Sequence, residues 1–86
     1  MENKYCKIRL YKPNKDITQK LNTILDLVIT LRIRYDCEVF FDNTYTNHYL
    51  IKYKDKEWAF GTYPEVIRAL DMLRTILKEK EENANG

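Results

Sequence analysis

The first residues of the chain alternate between apolar and polar side chains, which predicts a β-strand. Cys6, Ile8 and Leu10 fall on one side of residues 4–11, and basic and aromatic side chains fall on the other. Pro13 ends the strand, because proline has no N–H group to donate to a ladder. One side of this strand therefore suits a hydrophobic core, and we expect the other side to stay in solvent.

Two longer segments repeat apolar residues at spacings of three and four, the pattern of amphipathic helices. The first helix is predicted over about residues 16–35, where Asp16 and Gln19 form a capping-box pattern. The second is predicted over about residues 64–81 and follows Thr62, which opens a second capping box. The apolar stripes comprise Ile17, Leu21, Ile24, Leu25, Val28, Leu31 and Tyr35 in the first helix and Val66, Ile67, Leu70, Leu73, Ile76 and Leu77 in the second.

Three strand-like runs are predicted between the helices, at residues 37–41, 48–54 and 57–60. The order β-α-β-β-β-α and the one-sided helices favour an α+β fold. We expect a mainly antiparallel sheet of three or four strands with both helices packed on one face. The predicted organisation is a single domain over residues 1–82 followed by a frayed C-terminal tail at 83–86.

The sheet face that the helices leave open is the predicted binding surface. Tyrosine rings on a strand can stack with nucleic-acid bases, and lysine and arginine can contact phosphates. The same residue types suit protein recognition, since tyrosine supplies contact area at a low entropy cost. The candidate partner-binding residues, on this face and the middle hairpin, are Tyr5, Lys7, Arg9, Tyr11, Tyr45, Tyr49, Lys52, Tyr53 and Lys54.

Charge is divided unevenly along a chain whose net charge is +2. Residues 1–34 hold eight Lys or Arg against three Asp or Glu, a net charge of +5, and residues 35–86 have a net charge of −3. Such an asymmetry can orient a partner during association. The overall charge is too small for a dedicated nonspecific nucleic-acid binder.

The residue types that catalysis requires are scarce. His48 is the sole histidine, and Gly61 and Gly86 are the only glycines, too few for a phosphate-binding loop. Cys6 and Cys37 with one histidine do not complete a zinc site. Both cysteines are expected to be buried reduced thiols, and a disulfide between them is left open. We therefore expect no enzymatic activity, no cofactor and no metal ion.

The length and position of the apolar runs predict the cellular location. No run approaches the roughly 18 apolar residues of a membrane span, and the first residues contain no apolar signal segment. We expect a cytoplasmic protein without membrane association. The bias toward Lys, Ile, Asn and Tyr is typical of AT-rich bacterial or phage genomes.

The leading hypothesis is a small non-enzymatic protein-binding module, such as a phage or mobile-element accessory protein that inhibits a bacterial host factor. One alternative is a nucleic-acid-binding accessory protein that uses the basic and aromatic sheet face. Another is a homodimer joined through an unpaired sheet edge or through an apolar strip on the first helix. That strip consists of Leu27, Ile29 and Ile33, which lie outside the apolar stripe of the helix.

Overall fold

A computed structural model of the chain describes residues 4–9 and 14–85. Its elements follow the predicted order β-α-β-β-β-α, which confirms the α+β fold class. Tyr11, one of the candidate binding residues, lies outside the described residues. The elements are β1 (Cys6–Lys7), α1 (Lys15–Arg34), β2 (Val39–Asp42), β3 (Tyr49–Tyr53), β4 (Lys56–Phe60) and α2 (Tyr63–Asn85).

The four strands form one sheet in the order β1-β2-β3-β4, so β1 and β4 are its edges. β1 runs parallel to β2, whereas β2, β3 and β4 pair antiparallel. Two of the three pairings are antiparallel, which agrees with the predicted mainly antiparallel sheet, and the parallel pairing of β1 makes the sheet mixed. The reason is α1, which carries the chain back past the length of β1, so that β2 starts from the same end of the sheet.

β1 is much shorter than the predicted strand over residues 4–11. Of the described residues in this stretch, Cys6 and Lys7 alone pair with β2, opposite Phe41 and Asp42. Regular pairing stops there because β2 itself ends at Asp42. The alternation of side chains predicts how long a strand can be, but the partner strand decides how much of it is paired.

Both helices pack on one face of the sheet, as predicted. α1 lies against β2, and α2 lies against β3 and β4. The helices run side by side in the same direction, because Lys20 and Pro64 line the same groove near their N-termini and Arg34 pairs with Glu81 further along. The buried core between helices and sheet comprises Cys6, Leu21, Ile24, Val28, Leu31, Cys37, Val39, Phe41, Ile51, Tyr63, Val66 and Leu70.

The N-terminus of α1 lies one residue earlier than predicted, at Lys15, and it is capped by Asn14 rather than by Asp16. The Asn14 Oδ1 accepts hydrogen bonds from the backbone N–H groups of Asp16 and Ile17, at 2.9 and 3.2 Å. Asp16 instead pairs with Lys20 one turn later, at 2.7 Å. Both Asn14 and Asp16 are good capping residue types, so the sequence pattern alone does not separate them.

The predicted capping of α2 is confirmed. The Thr62 Oγ1 accepts a hydrogen bond from the Glu65 N–H at 3.4 Å, and the Glu65 Oε2 accepts one from the Gly61 N–H at 3.1 Å. α2 then continues to Asn85, beyond the predicted end near residue 81. Among the described residues, neither helix combines the length and the apolarity that crossing a membrane requires.

Candidate functional site

The pairing register decides which face of the sheet each strand residue occupies. Cys6, Phe41 and Ile51 are aligned across β1, β2 and β3, and all three belong to the core that the helices cover. Trp58 is aligned with Ile51 and therefore lies on the same helix-covered face. The alternate residues occupy the reverse face, namely Lys7, Phe40, Asp42, Leu50, Lys52, Glu57 and Ala59.

The described part of the reverse face carries charges of both signs, where the sequence predicts a basic and aromatic surface. Lys52 lies opposite Glu57, with 3.5 Å between the Lys52 Nζ and the Glu57 Oε1. Lys7 lies opposite Asp42, which is buried and accepts hydrogen bonds from Thr44. Lys52 therefore pairs with a carboxylate, and the residue at the position opposite Lys7 is acidic, which reduces the positive potential available to a phosphate group. Nucleic-acid binding through this face stays a prediction.

Tyr5 packs against α1 instead of joining Lys7 on the reverse face. The guanidinium carbon of Arg32 lies 3.8 Å from the centroid of the Tyr5 ring, and the ring also contacts the core. A hydrogen bond with Lys4, together with the charges of Lys4 and Arg32, lowers the pKa of the Tyr5 hydroxyl. The structure thus separates two residues that the sequence pattern groups together.

The three tyrosines predicted around the middle hairpin do not share one surface, because Tyr49 and Tyr53 lie on the helix-covered face and Tyr45 does not. Tyr49 stacks on Tyr63 of α2, with ring centroids 4.3 Å apart. Tyr53 lies on the helix-covered face near Trp58, with ring centroids 6.4 Å apart. Tyr45 is exposed in the loop between β2 and β3 and stacks on His48, and Lys54 lies in the turn between β3 and β4. The predicted candidates therefore do not form one surface.

Asn43 is a structural residue that the sequence reasoning missed. Its side chain is fully buried, and its amide pairs with the backbone of Arg9, accepting from the N–H at 2.5 Å and donating to the carbonyl at 3.2 Å. The amide also donates to the Tyr63 hydroxyl at 3.0 Å, and the Asn43 backbone N–H donates to the carbonyl of Lys7. Arg9, predicted as a binding residue, is half-buried beside this network. An asparagine in a polar loop reads as a turn residue, so the sequence pattern carries no sign of this role.

The two cysteines are free and buried, which confirms the expectation of buried thiols. Burial raises the pKa of the Cys6 thiol to about 11 and also raises the pKa of Cys37. A raised pKa keeps a thiol protonated near neutral pH, and the protonated form is a poor nucleophile and metal ligand.

An apolar groove lies between α2 and the outer half of the sheet. It has a volume of about 300 Å³ and is bordered by exposed apolar side chains from both elements. Trp58 is 44 % exposed, Met72 is 59 % exposed and Ile76 is 48 % exposed. The groove is lined by Ile51, Tyr53, Trp58, Phe60, Ala69, Leu70, Met72, Leu73 and Ile76.

The groove opens beside the edge strand β4. No strand of the described chain pairs with the outer edge of β4, and residues 56–59 are exposed. Its pairing with β3 is continuous from Lys56 to Phe60, so the strand has no bulge that would turn its edge away from a partner. Of the candidate binding residues that the structure describes, Tyr53 alone lines this groove. Trp58 and Met72 are not among the predicted binding residues, although the single tryptophan of the chain, directly after two charged strand residues, is a usable sign.

The apolar strip predicted on α1 does not exist as one surface. Leu27 packs against the core and lines a groove with α2, and it lies about 200° around the helix from Ile29. Ile29 is half-buried, and Ile33 is 77 % exposed. All three residues lie outside the main apolar stripe of α1, but Leu27 lies on one side of the stripe and Ile29 and Ile33 lie on the other.

Comparisons with protein-family models, with curated proteins and with solved structures found no match to this chain. The functional argument therefore depends on the geometry alone. Within the part of the chain that the structure describes, β4 and the apolar groove together form the surface with the clearest features of a binding site.

Proposed function

We propose that this chain is a non-enzymatic protein-binding module that docks its partner on the outer edge of β4 and in the adjoining apolar groove. The observation that carries the proposal is Trp58, nearly half exposed at the centre of an edge strand and beside the groove. A partner strand would pair with the backbone of β4 and place an apolar side chain against Trp58.

The backbone of β4 supports this mode of binding. An exposed strand edge presents N–H and C=O groups that an added strand can pair with, which is how several domains bind extended peptides. Side chains alternate along β4, so Lys56, Trp58 and Phe60 lie on the helix-covered face and Glu57 and Ala59 lie on the reverse face. Of the first three, Trp58 and Phe60 line the groove. A partner strand in register would alternate in the same way, which makes apolar residues at every second position the preferred sequence.

The side chains of the groove supply affinity. Tryptophan is the residue type most enriched among binding hot spots, and methionine adapts to irregular partners. Burial of apolar surface contributes about 25 cal/mol per Å² before the costs of association. Trp58, Met72 and Ile76 are exposed together around one groove, which concentrates this contribution in one place.

A displayed library of random peptides tests the proposal. We expect the folded chain to select extended peptides with alternating apolar residues. Trp58→Glu should weaken their binding by about tenfold or more, since a charge would replace the central aromatic contact. The matched control is Ile33→Glu, which places the same charge at an exposed apolar position of α1 and should leave binding unchanged. Selected peptides that bind Trp58→Glu as well as the wild type would contradict the proposal.

A further inference from the structure

We infer that the partner seated on β4 is a second copy of this chain, joined by antiparallel pairing of the two β4 strands around a two-fold axis at Trp58. The inference rests on the proposed protein-binding function and names its partner. The two four-stranded sheets would then join into one sheet of eight strands, with all four helices on the same face.

Symmetry restricts how two β4 strands can pair. A two-fold axis perpendicular to the sheet makes the strands antiparallel and keeps both helix layers on one side. Directly opposed side chains share a face of the sheet. The axis must therefore lie midway between a residue and its own copy, and cannot fall between two successive residues of the strand. Within the centre of β4, the possible residues are Glu57, Trp58 and Ala59.

Charge and overlap favour the axis at Trp58. An axis at Glu57 would place two glutamates directly opposite each other, which is destabilising. An axis at Ala59 would pair only residues 58–60 of each strand. The axis at Trp58 pairs the whole of β4, with Lys56 opposite Phe60 and no like charges directly opposed.

Glu57, the acidic residue of β4, is already paired within its own subunit. Glu57 faces the reverse side, and its carboxylate lies 3.5 Å from the Lys52 ammonium. In the Trp58-centred arrangement Glu57 would lie opposite Ala59, a small side chain that leaves this ion pair room to persist. The reverse face of the joint therefore adds no unpaired charge.

The helices fit the same arrangement. α2 contacts both β3 and β4, and neighbouring strands are about 4.8 Å apart. A helix centred over this pair lies about 5 Å from the axis, so the two α2 helices would lie about 10 Å apart, close to the distance of packed helices. Met72 and Ile76, on the flank of α2 that borders the groove, would then pack against their copies above the paired Trp58 rings.

This interface is small, one five-residue strand and the flank of one helix from each copy. Interfaces at the low end of the size range are weak, and we expect a dissociation constant in about the micromolar range. Sedimentation velocity of the full chain from low micromolar to high micromolar concentration should show a monomer converting into a dimer.

Two variants and one control identify the surface. Trp58→Glu and Met72→Glu should each keep the chain monomeric at concentrations where the wild type is dimeric, and Ile33→Glu should dimerise like the wild type. Met72 lies on an exposed helix position, so this variant serves even where Trp58→Glu does not fold; circular dichroism checks both. A wild type that stays monomeric, or a dimer that both variants leave intact, would overturn the inference.

Cross-linking tests the register. With the axis at Trp58, residue 57 of one copy lies opposite residue 59 of the other. A mixture of Glu57→Cys and Ala59→Cys should therefore form the mixed disulfide in preference to either symmetric one, while the buried Cys6 and Cys37 stay reduced. Preference for the Ala59→Cys homodimer would move the axis and overturn the register.

The experiments distinguish a failure of the second copy as partner from a failure of the proposed protein-binding function. A monomeric wild type whose Trp58-dependent binding to library peptides persists would overturn the second copy as partner and leave the protein-binding function standing. A monomer that also binds no peptide through Trp58 would overturn both.

Discussion

The Asn43 side chain replaces backbone pairing at the end of β2. β2 ends at Asp42, and beyond it the Asn43 amide forms with the Arg9 backbone the pair of hydrogen bonds that a further strand residue would have formed. The same amide holds the hydroxyl of Tyr63 at the start of α2. Because the Asn43 amide is buried, no water would replace it as a hydrogen-bond partner of these groups if it were removed.

We expect Asn43→Ala to lower the free energy of unfolding by about 2–4 kcal/mol, since it leaves buried donors and acceptors without these hydrogen bonds. Tyr63→Phe removes one of the hydrogen bonds and should cost about 1 kcal/mol. Urea unfolding measures both. Asn47→Ala, in the exposed part of the same loop, is the control and should change stability little. A loss as small as the control's would show that the network contributes nothing to stability.

Burial of Cys6 makes the stability of the chain depend on alkaline pH. The pKa of the buried thiol, about 11, lies above its ordinary value of 9.0, so the folded state disfavours the thiolate. The contribution of Cys6 is fully present below pH 9 and is lost as the pH rises from 9 to about 11. Cys6→Ala, which removes the thiol, should therefore lose less stability than the wild type over this range when urea unfolding is measured at each pH. Parallel losses in both proteins would contradict this assignment.

At the scale of the elements, the hairpin of β3 and β4 contains a strained position. Lys54 has a φ of 57°, in the left-handed region that suits glycine. The fold tolerates this at Lys54 because two residues must connect paired Tyr53 and Lys56. The turn between β3 and β4 therefore contains a residue whose side chain disfavours the backbone conformation that the turn requires.

Lys54→Gly is expected to stabilise the chain by about 1 kcal/mol, because glycine adopts a positive φ without steric cost. Thermal unfolding measures the effect as a rise in Tm. Asp55→Gly is the matched control at the next position, where φ is not positive, and it should lower Tm through the added backbone entropy of the unfolded chain. Equal effects of the two variants would contradict the role assigned to φ.

At the scale of the whole molecule, the uneven charge distribution affects association. β4 and α2 come from the half of the sequence with a net charge of −3, and β1 and α1 come from the half with +5. Joining two copies through β4 and α2 brings two mildly acidic halves together. Screening of that repulsion by salt favours association, whereas salt weakens binding to phosphates.

Dimerisation should therefore strengthen modestly as sodium chloride rises from low to physiological concentration, measured by sedimentation velocity. Lys7→Glu, on the reverse face, should leave the dimer in place because Lys7 lies on β1, at the edge of the sheet opposite β4. Binding of the chain to oligonucleotides that falls steeply with salt, and is weakened in this variant, would instead support the nucleic-acid hypothesis.

The candidate site was only partly accessible from the sequence. The sequence predicts Tyr53 as a binding residue, which does line the groove, and an unpaired sheet edge is among the predicted homodimer interfaces. It does not predict Trp58 and Met72, because the local pattern does not show that α2 leaves these side chains uncovered. Tyr5 and Tyr49 are predicted on grounds of residue type, and each packs against a helix.

Local pattern alone determined the order of the elements, the one-sided helices and the cap at Thr62, because the period of apolar residues and the capping hydrogen bonds involve neighbours within a few positions. Tertiary structure decided that β1 pairs parallel to β2, that Asn43 is buried, and that Trp58 stays exposed while Leu27 is covered. The physical reason is that pairing and burial depend on residues far away in the chain, and the side chain itself is the same whether or not a distant element covers it.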